Sequence, residues 1–114
     1  LKAMVPTEDI ARAHYDVHKE RPFFPGLIKF VTSGPGVCMA WEGVDAIAVA
    51  RKLIGATNGR NADPGTIRGD FGMDMGFNMI HGSDAPETAE FELGLWFPEG
   101  LMSWENTIGT WVYE

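Results

Sequence analysis

Cysteine and long apolar runs are both scarce in this sequence of 114 residues. The only cysteine is Cys38, so an internal disulfide framework is excluded. Its position in the apolar run Val37–Trp41 indicates a small buried side chain. No apolar run approaches the roughly 20 residues that cross a bilayer, so no membrane-spanning helix is expected.

Basic residues are also few, nine against sixteen acidic ones, which gives a formal net charge of −7. No basic block is present to bind nucleic acid or an anionic membrane surface, so neither is expected as a specific partner. A protein of this composition that handles an anionic ligand must supply positive charge locally. A few arginines, the N-termini of helices, or a metal ion are the available sources.

The overall composition indicates a folded globular chain, because 45% of the residues are hydrophobic and 22% are charged. The length fits one small domain over 1–114. The opening residues Leu1–Val5 read as the second half of a strand. The chain is therefore expected to begin inside a secondary structure element and to lack the segment before it.

The first half of the chain predicts helices separated by turns and one strand. Thr7 followed by two acidic residues is typical of a helix start, and the helix should run from about Glu8 to Val17. The same kinds of signal predict further elements: a helix over Phe24–Val31, a turn at Ser33–Gly36, a strand over Val37–Trp41 buried on both faces, and a helix capped by Asp45 that runs to about Ile54.

The second half begins with a loop of 16 residues, Gly55–Asp70, rich in glycine and asparagine. A loop of this length in a compact domain is typical of a functional segment. A strand is predicted over Phe71–Ile80, and then a helix capped by Asp84, with Glu87 completing a capping box. Residues at helical spacing form its core face: Ala89, Leu93, Trp96 and Phe97. Strands and helices in this order predict an α+β domain with helices over one antiparallel sheet.

His81, at the junction between this strand and this helix, allows two interpretations. A histidine beside Met79 and Ile80 is by composition more often a satisfied core residue than a catalyst. The start of a helix, however, favours anions. Glu92 lies at the edge of the buried face, where it either remains solvated or points toward His81. In the second case its carboxylate would fix the imidazole tautomer and leave the other ring nitrogen free as a nucleophile or base.

Two arginines near the long loop also allow two interpretations. Arg51 ends a predicted helix and Arg68 lies inside the loop. Each is either a surface ion pair of little consequence or part of a phosphate site with Thr57 and loop backbone N–H groups. His14 and His18 lie four apart on one helix face, but the spacing shows no third metal ligand. Ser83 lacks the glycine-flanked elbow of a serine hydrolase.

Several motifs together resemble a known family. The segment Asn78-Met79-Ile80-His81-Gly82-Ser83-Asp84 is similar to the Asn-x-x-His-Gly-Ser-Asp signature of nucleoside diphosphate kinases. Further matches to that family follow in the same order along almost the whole chain: Ala13-His14-Tyr15, Arg21-Pro22-Phe23-Phe24, Ser33-Gly34-Pro35, Ala40-Trp41-Glu42-Gly43, residues 64–71, Trp96-Phe97 and Tyr113-Glu114.

The resemblance implies a role for each matching residue. His81 resembles the histidine that accepts the γ-phosphoryl group and passes it on, and Glu92 the carboxylate that orients it. The implied catalytic set also contains Tyr15, Asn78 and Ser83. The residues implied in nucleotide and phosphate binding are Phe23, on which the base stacks, Arg51, Thr57, Arg68, and Asn78, which meets the sugar.

The resemblance implies ping-pong transfer of a phosphoryl group from a nucleoside triphosphate to a nucleoside diphosphate, with Mg²⁺ as the cofactor. The nucleotide phosphates would hold the Mg²⁺, so no carboxylate cluster is needed as a metal site. The family also implies a ferredoxin-like four-stranded antiparallel sheet and a homo-oligomer, commonly a homohexamer. Its subunit contacts are expected at Gly55–Asp70 and at the aromatic tail Met102–Glu114. A cytoplasmic location is expected, with an organellar form as an alternative.

The sequence departs from the family at a few points. The first strand, with its Lys-Pro-Asp-like motif, and the first helix are missing from this chain. Phe77 replaces a frequent arginine and should add apolar surface beside the site. Gly59 replaces a frequent proline and should loosen the loop. If the missing lysine-bearing strand is absent from the whole protein, the alternative function is a catalytically inactive nucleotide-binding or scaffold module.

Overall fold

A computed structural model describes all residues 1–114. Two short strands and six helices follow one another along the chain. They are β1 (Lys2–Met4), α1 (Glu8–His14), α2 (Phe24–Val31), β2 (Gly36–Cys38), α3 (Ala46–Ile54), α4 (Ile67–Phe71), α5 (Pro86–Trp96) and α6 (Gly109–Val112), with 3-10 helices at Asp16–His18 and Gly59–Asn61. None of the helices combines the length and the apolar character needed to cross a membrane.

The sheet consists of β1 and β2, which pair antiparallel with Ala3 opposite Val37. The prediction of a strand over Val37–Trp41 buried on both faces was wrong. The strand ends at Cys38, and the side chains of Val37 and Trp41 are exposed.

The strand predicted over Phe71–Ile80 does not form. Phe71 ends α4, and no neighbouring strand pairs with the residues that follow. Near its end the backbone turns sharply: the Ile80 N–H donates to the Asn78 carbonyl at 2.7 Å, and Met79 lies in the left-handed region with φ 62°. Three-residue turns of this kind interrupt an extended strand. The turn directs the chain into His81.

The helix predictions were mostly confirmed, but their caps differ. Thr7 caps α1 by accepting the Ile10 N–H, and α2 has the predicted bounds. The helix predicted to reach Val17 ends at His14 and tightens into the 3-10 helix that follows. Asp45 precedes α3 in the left-handed conformation and makes no capping bond.

Asp84 does not cap α5, so the predicted capping box is absent. The helix begins at Pro86, and Ala85 occupies the N-cap position without a side-chain hydrogen bond. Asp84 therefore lies one residue too early to reach the first free N–H groups. The helix still directs Phe97 into the interior, while Ala89, Leu93 and Trp96 are half-buried.

The largest buried cluster joins α1 and α2 through Ala11, Phe24 and Ile28. Helix α1 also packs against α5. Because α5 carries Glu92 and Trp96, this packing brings both side chains against His14 at the end of α1. The helix pair therefore forms the wall of the candidate site.

Seven of the 16 residues of the predicted loop Gly55–Asp70 lie in short helices, at Gly59–Asn61 and at the start of α4. Gly59 starts a 3-10 helix and lies against the backbone of α4: a Cβ there would stand 2.3 Å from the Gly72 carbonyl oxygen. With the backbone as it stands, a Cβ at position 59 would clash, so Gly59 also has a steric role in this chain. The close approach fixes Arg68 relative to the rest of the fold.

Candidate functional site

A buried carboxylate lies at the centre of the site. Glu92 on α5 is 9% exposed. Its two oxygens lie 3.0 Å and 2.8 Å from the Nε2 atom of His81, and the Ser83 hydroxyl donates to Oε2. Of the two interpretations of Glu92, the structure therefore supports the inward one. A buried carboxylate requires such partners because desolvation makes an unpaired charge costly.

His81 is held by one ring nitrogen only. An ionised carboxylate only accepts hydrogen bonds, so Nε2 must carry the proton that is donated to Glu92. Nδ1 then carries a lone pair, and the His81 side chain is 45% exposed. This arrangement orients the imidazole and leaves an accessible nucleophilic nitrogen. The core interpretation of His81 does not fit this exposure.

Two arginines bind the backbone on either side of His81. Arg68 donates to the Ile80 carbonyl at 2.6 Å and to the Gly55 carbonyl at 3.3 Å. Arg51 donates to the Gly82 carbonyl at 2.9 Å. Neither guanidinium forms a salt bridge with a carboxylate, which argues against the surface ion-pair interpretation.

Electrostatics around Arg68 favour an anion. Its side chain is 4% exposed, and its Nε–H is buried without a partner. Burial lowers the pKa of Arg68, and the nearby charge of Arg51 lowers it further. Two cations that repel each other this way create a local positive potential, although the net charge of the chain is −7. A bound anion would relieve that repulsion.

Tyr15 and His14 complete the wall of the site beside the His81 ring. The Tyr15 ring lies 6.4 Å from the His81 ring, centre to centre. Burial, and then the charge of Glu92, raise the pKa of Tyr15, so its phenol stays protonated and able to donate. The His14 ring lies 4.4 Å from the His81 ring.

Three residues implied by the resemblance lie outside this hydrogen-bonded cluster. Thr57 is exposed in the loop after α3, and Asn78 is half-buried at the turn before His81. Phe23 is 55% exposed, and its ring lies 5.5 Å from that of His18. No hydrogen bond joins these side chains to Glu92 or His81.

Sequence reasoning missed the part played by His14 and Trp96. The Trp96 indole N–H donates to Nδ1 of His14 at 2.9 Å, and His14 Nε2 lies 3.8 Å from Glu92 Oε1. A signal was available, because Glu92 and Trp96 are four residues apart and therefore share one face of α5. What the sequence could not show is that α1 packs on that face.

His14, His81 and Glu92 place three possible metal-ligand atoms within 4.8 Å of one another, a cluster that spacing alone did not reveal. Two observations argue against a Mg²⁺ site there. Mg²⁺ prefers oxygen ligands, and this set has two imidazoles. In addition, Nδ1 of His14 accepts from Trp96, so Nε2 carries the proton and has no lone pair for a metal.

Comparison with known proteins agrees with this site. A family model described as nucleoside diphosphate kinase matches residues 1–102. The chain is 60% identical to the nucleoside diphosphate kinase of a Cyanothece species and 57% identical to that of a Synechococcus species, in each case over 100% of this chain and 77% of the relative.

Solved structures give the same result. A halophilic nucleoside diphosphate kinase from Halobacterium salinarum in complex with CDP has a TM-score of 0.93 at 47% identity, over 99% of this chain and 76% of the other. A nucleoside diphosphate kinase family protein from Babesia bovis has a TM-score of 0.92 at 46% identity, over 98% of this chain and 76% of the other.

The fold and the site define a phosphotransferase that works through a histidine. The chain belongs to the nucleoside diphosphate kinase family. It has the α+β, ferredoxin-like fold of that family, as predicted. Its activity is the transfer of the γ-phosphoryl group from a nucleoside triphosphate to a nucleoside diphosphate by a ping-pong mechanism through a phosphohistidine. The comparisons give no support to the alternative of an inactive scaffold.

Proposed function

We propose that His81 is the residue that carries the phosphoryl group. The observation that supports this most directly is the bond between Glu92 and Nε2 of His81, which leaves Nδ1 as the free nitrogen on a side chain that is 45% exposed. The Nδ1 lone pair forms an N–P bond to the γ-phosphorus while the bond from that phosphorus to the bridging oxygen breaks. The electron pair of the broken bond leaves with the nucleoside diphosphate, and a second diphosphate reverses the step.

Glu92 is proposed to orient His81 and to offset its charge. Phosphorylation of Nδ1 leaves the ring cationic as long as the Nε2 proton remains. The Glu92 carboxylate, at 2.8 Å and 3.0 Å from Nε2, stabilises that cation without removing its proton. Ser83 donates to the same carboxylate and thereby fixes its rotation. The catalytic set proposed from the sequence is completed by Tyr15 and Asn78.

Arg51, Thr57 and Arg68 are proposed to bind the phosphates. Transfer of a phosphoryl group spreads charge over the equatorial oxygens, so fixed cations provide most of the stabilisation of the transition state. The two guanidiniums lie beside His81 without carboxylate partners, which supports this role. Phe23, which is 55% exposed, is proposed as the stacking surface for the base, and Asn78 as the contact for the sugar.

Mg²⁺ is proposed to enter with the nucleotide, held by its phosphate oxygens, where it would neutralise developing charge. Nucleoside tri- and diphosphates are the proposed partners, together with identical subunits of a homohexamer. We also propose that 1–114 forms a single domain. The cytoplasmic location expected from the resemblance stays a prediction.

The test is formation of the phosphoenzyme. Wild-type protein mixed with ATP and Mg²⁺ should gain one phosphoryl group by intact-mass spectrometry, and the group should be acid-labile. ³¹P NMR should place it on Nδ1 of the imidazole. His81→Asn should not gain it. Labelling of a different residue, or labelling of His81→Asn to the same extent, would contradict the assignment.

A further inference from the structure

His14 is buried within the site but has no place in the chemistry described above. Its side chain is 3% exposed. Four side chains surround it, and three of them can titrate: Tyr15 directly after α1, Glu92 and Trp96 on α5, and His81 after the turn. The protonation state of the His14 ring therefore depends on these neighbours.

The hydrogen bond from Trp96 selects one tautomer of His14. An indole N–H can only donate, so Nδ1 of His14 must accept and must have no proton. A neutral ring then carries its one proton on Nε2, which faces Glu92 Oε1 at 3.8 Å. That separation is too long for a hydrogen bond but short enough for the N–H dipole to attract the carboxylate.

A neutral His14 is also supported by the direction of its pKa. Burial lowers the pKa of His14 from 6.5 to about 4, the charge of His81 lowers it as well, and Glu92 opposes the change. Near neutral pH the ring therefore has a dipole but no charge. A protonated His14 would be a cation 4.4 Å from the His81 ring and a direct competitor for Glu92.

We propose that His14 is a positioning residue, held by Trp96 as the neutral Nε2–H tautomer, which aligns the Glu92 carboxylate without competing with His81 for it. The inference rests on the proposed function of His81. It states that the indole N–H of Trp96, and not only the bulk of the indole ring, is needed for full transfer activity below neutral pH. If Trp96 had only a structural role, the aromatic ring without the N–H would be sufficient for transfer.

The decisive variant is Trp96→Phe, which keeps an aromatic ring and removes the donor. Trp96→Phe removes the N–H that opposes a proton on Nδ1 of His14, so the ring becomes a cation that pairs with Glu92 at a higher pH than in the wild type. We expect kcat to fall about fivefold or more near pH 6 and to change by less than about twofold near pH 8.5, with KM little changed. The matched control is Trp41→Phe, because Trp41 is 73% exposed and lies outside the aromatic tail.

A second variant separates His14 from other consequences of the Trp96 change. His14→Gln cannot gain a proton, so His14→Gln/Trp96→Phe should lose the acid sensitivity of Trp96→Phe. If Trp96→Phe follows the pH profile of Trp41→Phe, or if the double variant keeps the acid sensitivity, the proposal is overturned.

A direct measurement on the resting enzyme does not depend on turnover or on folding of a variant. ¹⁵N-resolved NMR of the wild-type imidazoles should show Nδ1 of His14 unprotonated and Nε2 protonated from about pH 8 down to about pH 5. Protonation of both nitrogens near pH 6.5, or the Nδ1–H tautomer, would refute the proposal. His81 labelling is measured separately, so failure of the proposed function and failure of this inference are distinguishable.

Discussion

At the scale of residues, Glu92 is shared among several donors. His81 Nε2 and the Ser83 hydroxyl donate to it, and the His14 N–H faces it. A buried carboxylate with this many partners can hold an imidazole in one orientation while it keeps its own charge. The reactivity of Nδ1 of His81 therefore depends on Glu92, Ser83 and His14 together.

Glu92→Gln should lower kcat about 10- to 100-fold, the size of loss seen when a carboxylate that orients an imidazole is removed. The neutral amide neither fixes the Nε2–H tautomer reliably nor offsets the charge of phosphorylated His81. Steady-state assays with ATP and GDP measure the change. Glu90→Gln, on the exposed side of the same helix, is the matched control and should be close to wild type. Equal activities of the two variants would contradict the role of Glu92.

His14 should make stability depend on pH. Its pKa is about 4 in the folded protein and near 6.5 when unfolded, so between these values the unfolded chain binds more protons. The free energy of unfolding therefore falls as pH drops from about 6.5 to about 4, by at most about 3 kcal/mol. Urea denaturation of His14→Gln should show a smaller loss over this range. An identical slope in both proteins would rule out this contribution.

Much of the site could be predicted from the sequence, because its motif and its helix spacing are local. Helix spacing left the orientation of Glu92 and the roles of Arg51 and Arg68 open between two interpretations, and the family resemblance favoured the pairing of His81 with Glu92 and a phosphate site with both arginines. His14 and Trp96 were not paired, since their contact joins two helices 82 positions apart. A single sequence gives the exposed and buried sides of each helix but not which sides meet.

At the scale of elements, α4 depends on glycines that allow close backbone approach. A Cβ on Gly69 would lie 2.1 Å from the Asp63 carbonyl oxygen. The Gly69 N–H also donates to the capping Thr66 hydroxyl at 3.0 Å. Because Arg68 precedes Gly69 in this helix, distortion here displaces the guanidinium from Ile80 and so from His81.

Gly69→Ala should therefore lower the free energy of unfolding by about 3 kcal/mol or more, since rigid backbone atoms block the new methyl group. Gly26→Ala is the control, because no atom lies within 4 Å of the added Cβ. Within α2 it should leave stability unchanged or raise it by up to about 1 kcal/mol. Chemical denaturation of both variants tests the difference; equal stabilities would contradict the steric account.

Element predictions failed where an element depends on partners. Helix α2 was predicted with correct bounds because its amphipathic pattern and its flanking prolines are local signals. The segment Phe71–Ile80 was predicted as a strand, but a strand needs a neighbour for its hydrogen bonds, and neither β1 nor β2 pairs with it. The left-handed Met79 could not be expected from its residue type.

At the scale of the whole molecule, apolar surface is unusually abundant. The accessible surface is 8844 Å², whereas a folded monomer of this mass has about 6,200 Å². Only ten of the 114 residues are buried, and the tail exposes Met102, Trp104 and Trp111. Surface of this kind is typical of a contact with another chain or segment, which agrees with the proposed homo-oligomer.

Trp111→Ala should weaken assembly more than chemistry, because Trp111 is 88% exposed in the isolated chain and large aromatic side chains dominate interface energies. Analytical ultracentrifugation should show smaller species, while phosphorylation of His81 by ATP continues. The control is Val17→Ala, which truncates a comparably exposed apolar side chain outside the tail. It should leave sedimentation unchanged. Unaltered sedimentation of Trp111→Ala would count against the tail as a subunit contact.

The central claim is that His81 alternates between free and phosphorylated forms. The most direct measurement is a chase: the wild type and His81→Asn are each treated with γ-labelled ATP and Mg²⁺, separated from nucleotide, and mixed with GDP. The account predicts acid-labile label on the wild type only. It also predicts transfer of that label to GDP, which yields labelled GTP. Label on His81→Asn that also moves to GDP, or a labelled wild type that cannot discharge to GDP, would contradict it.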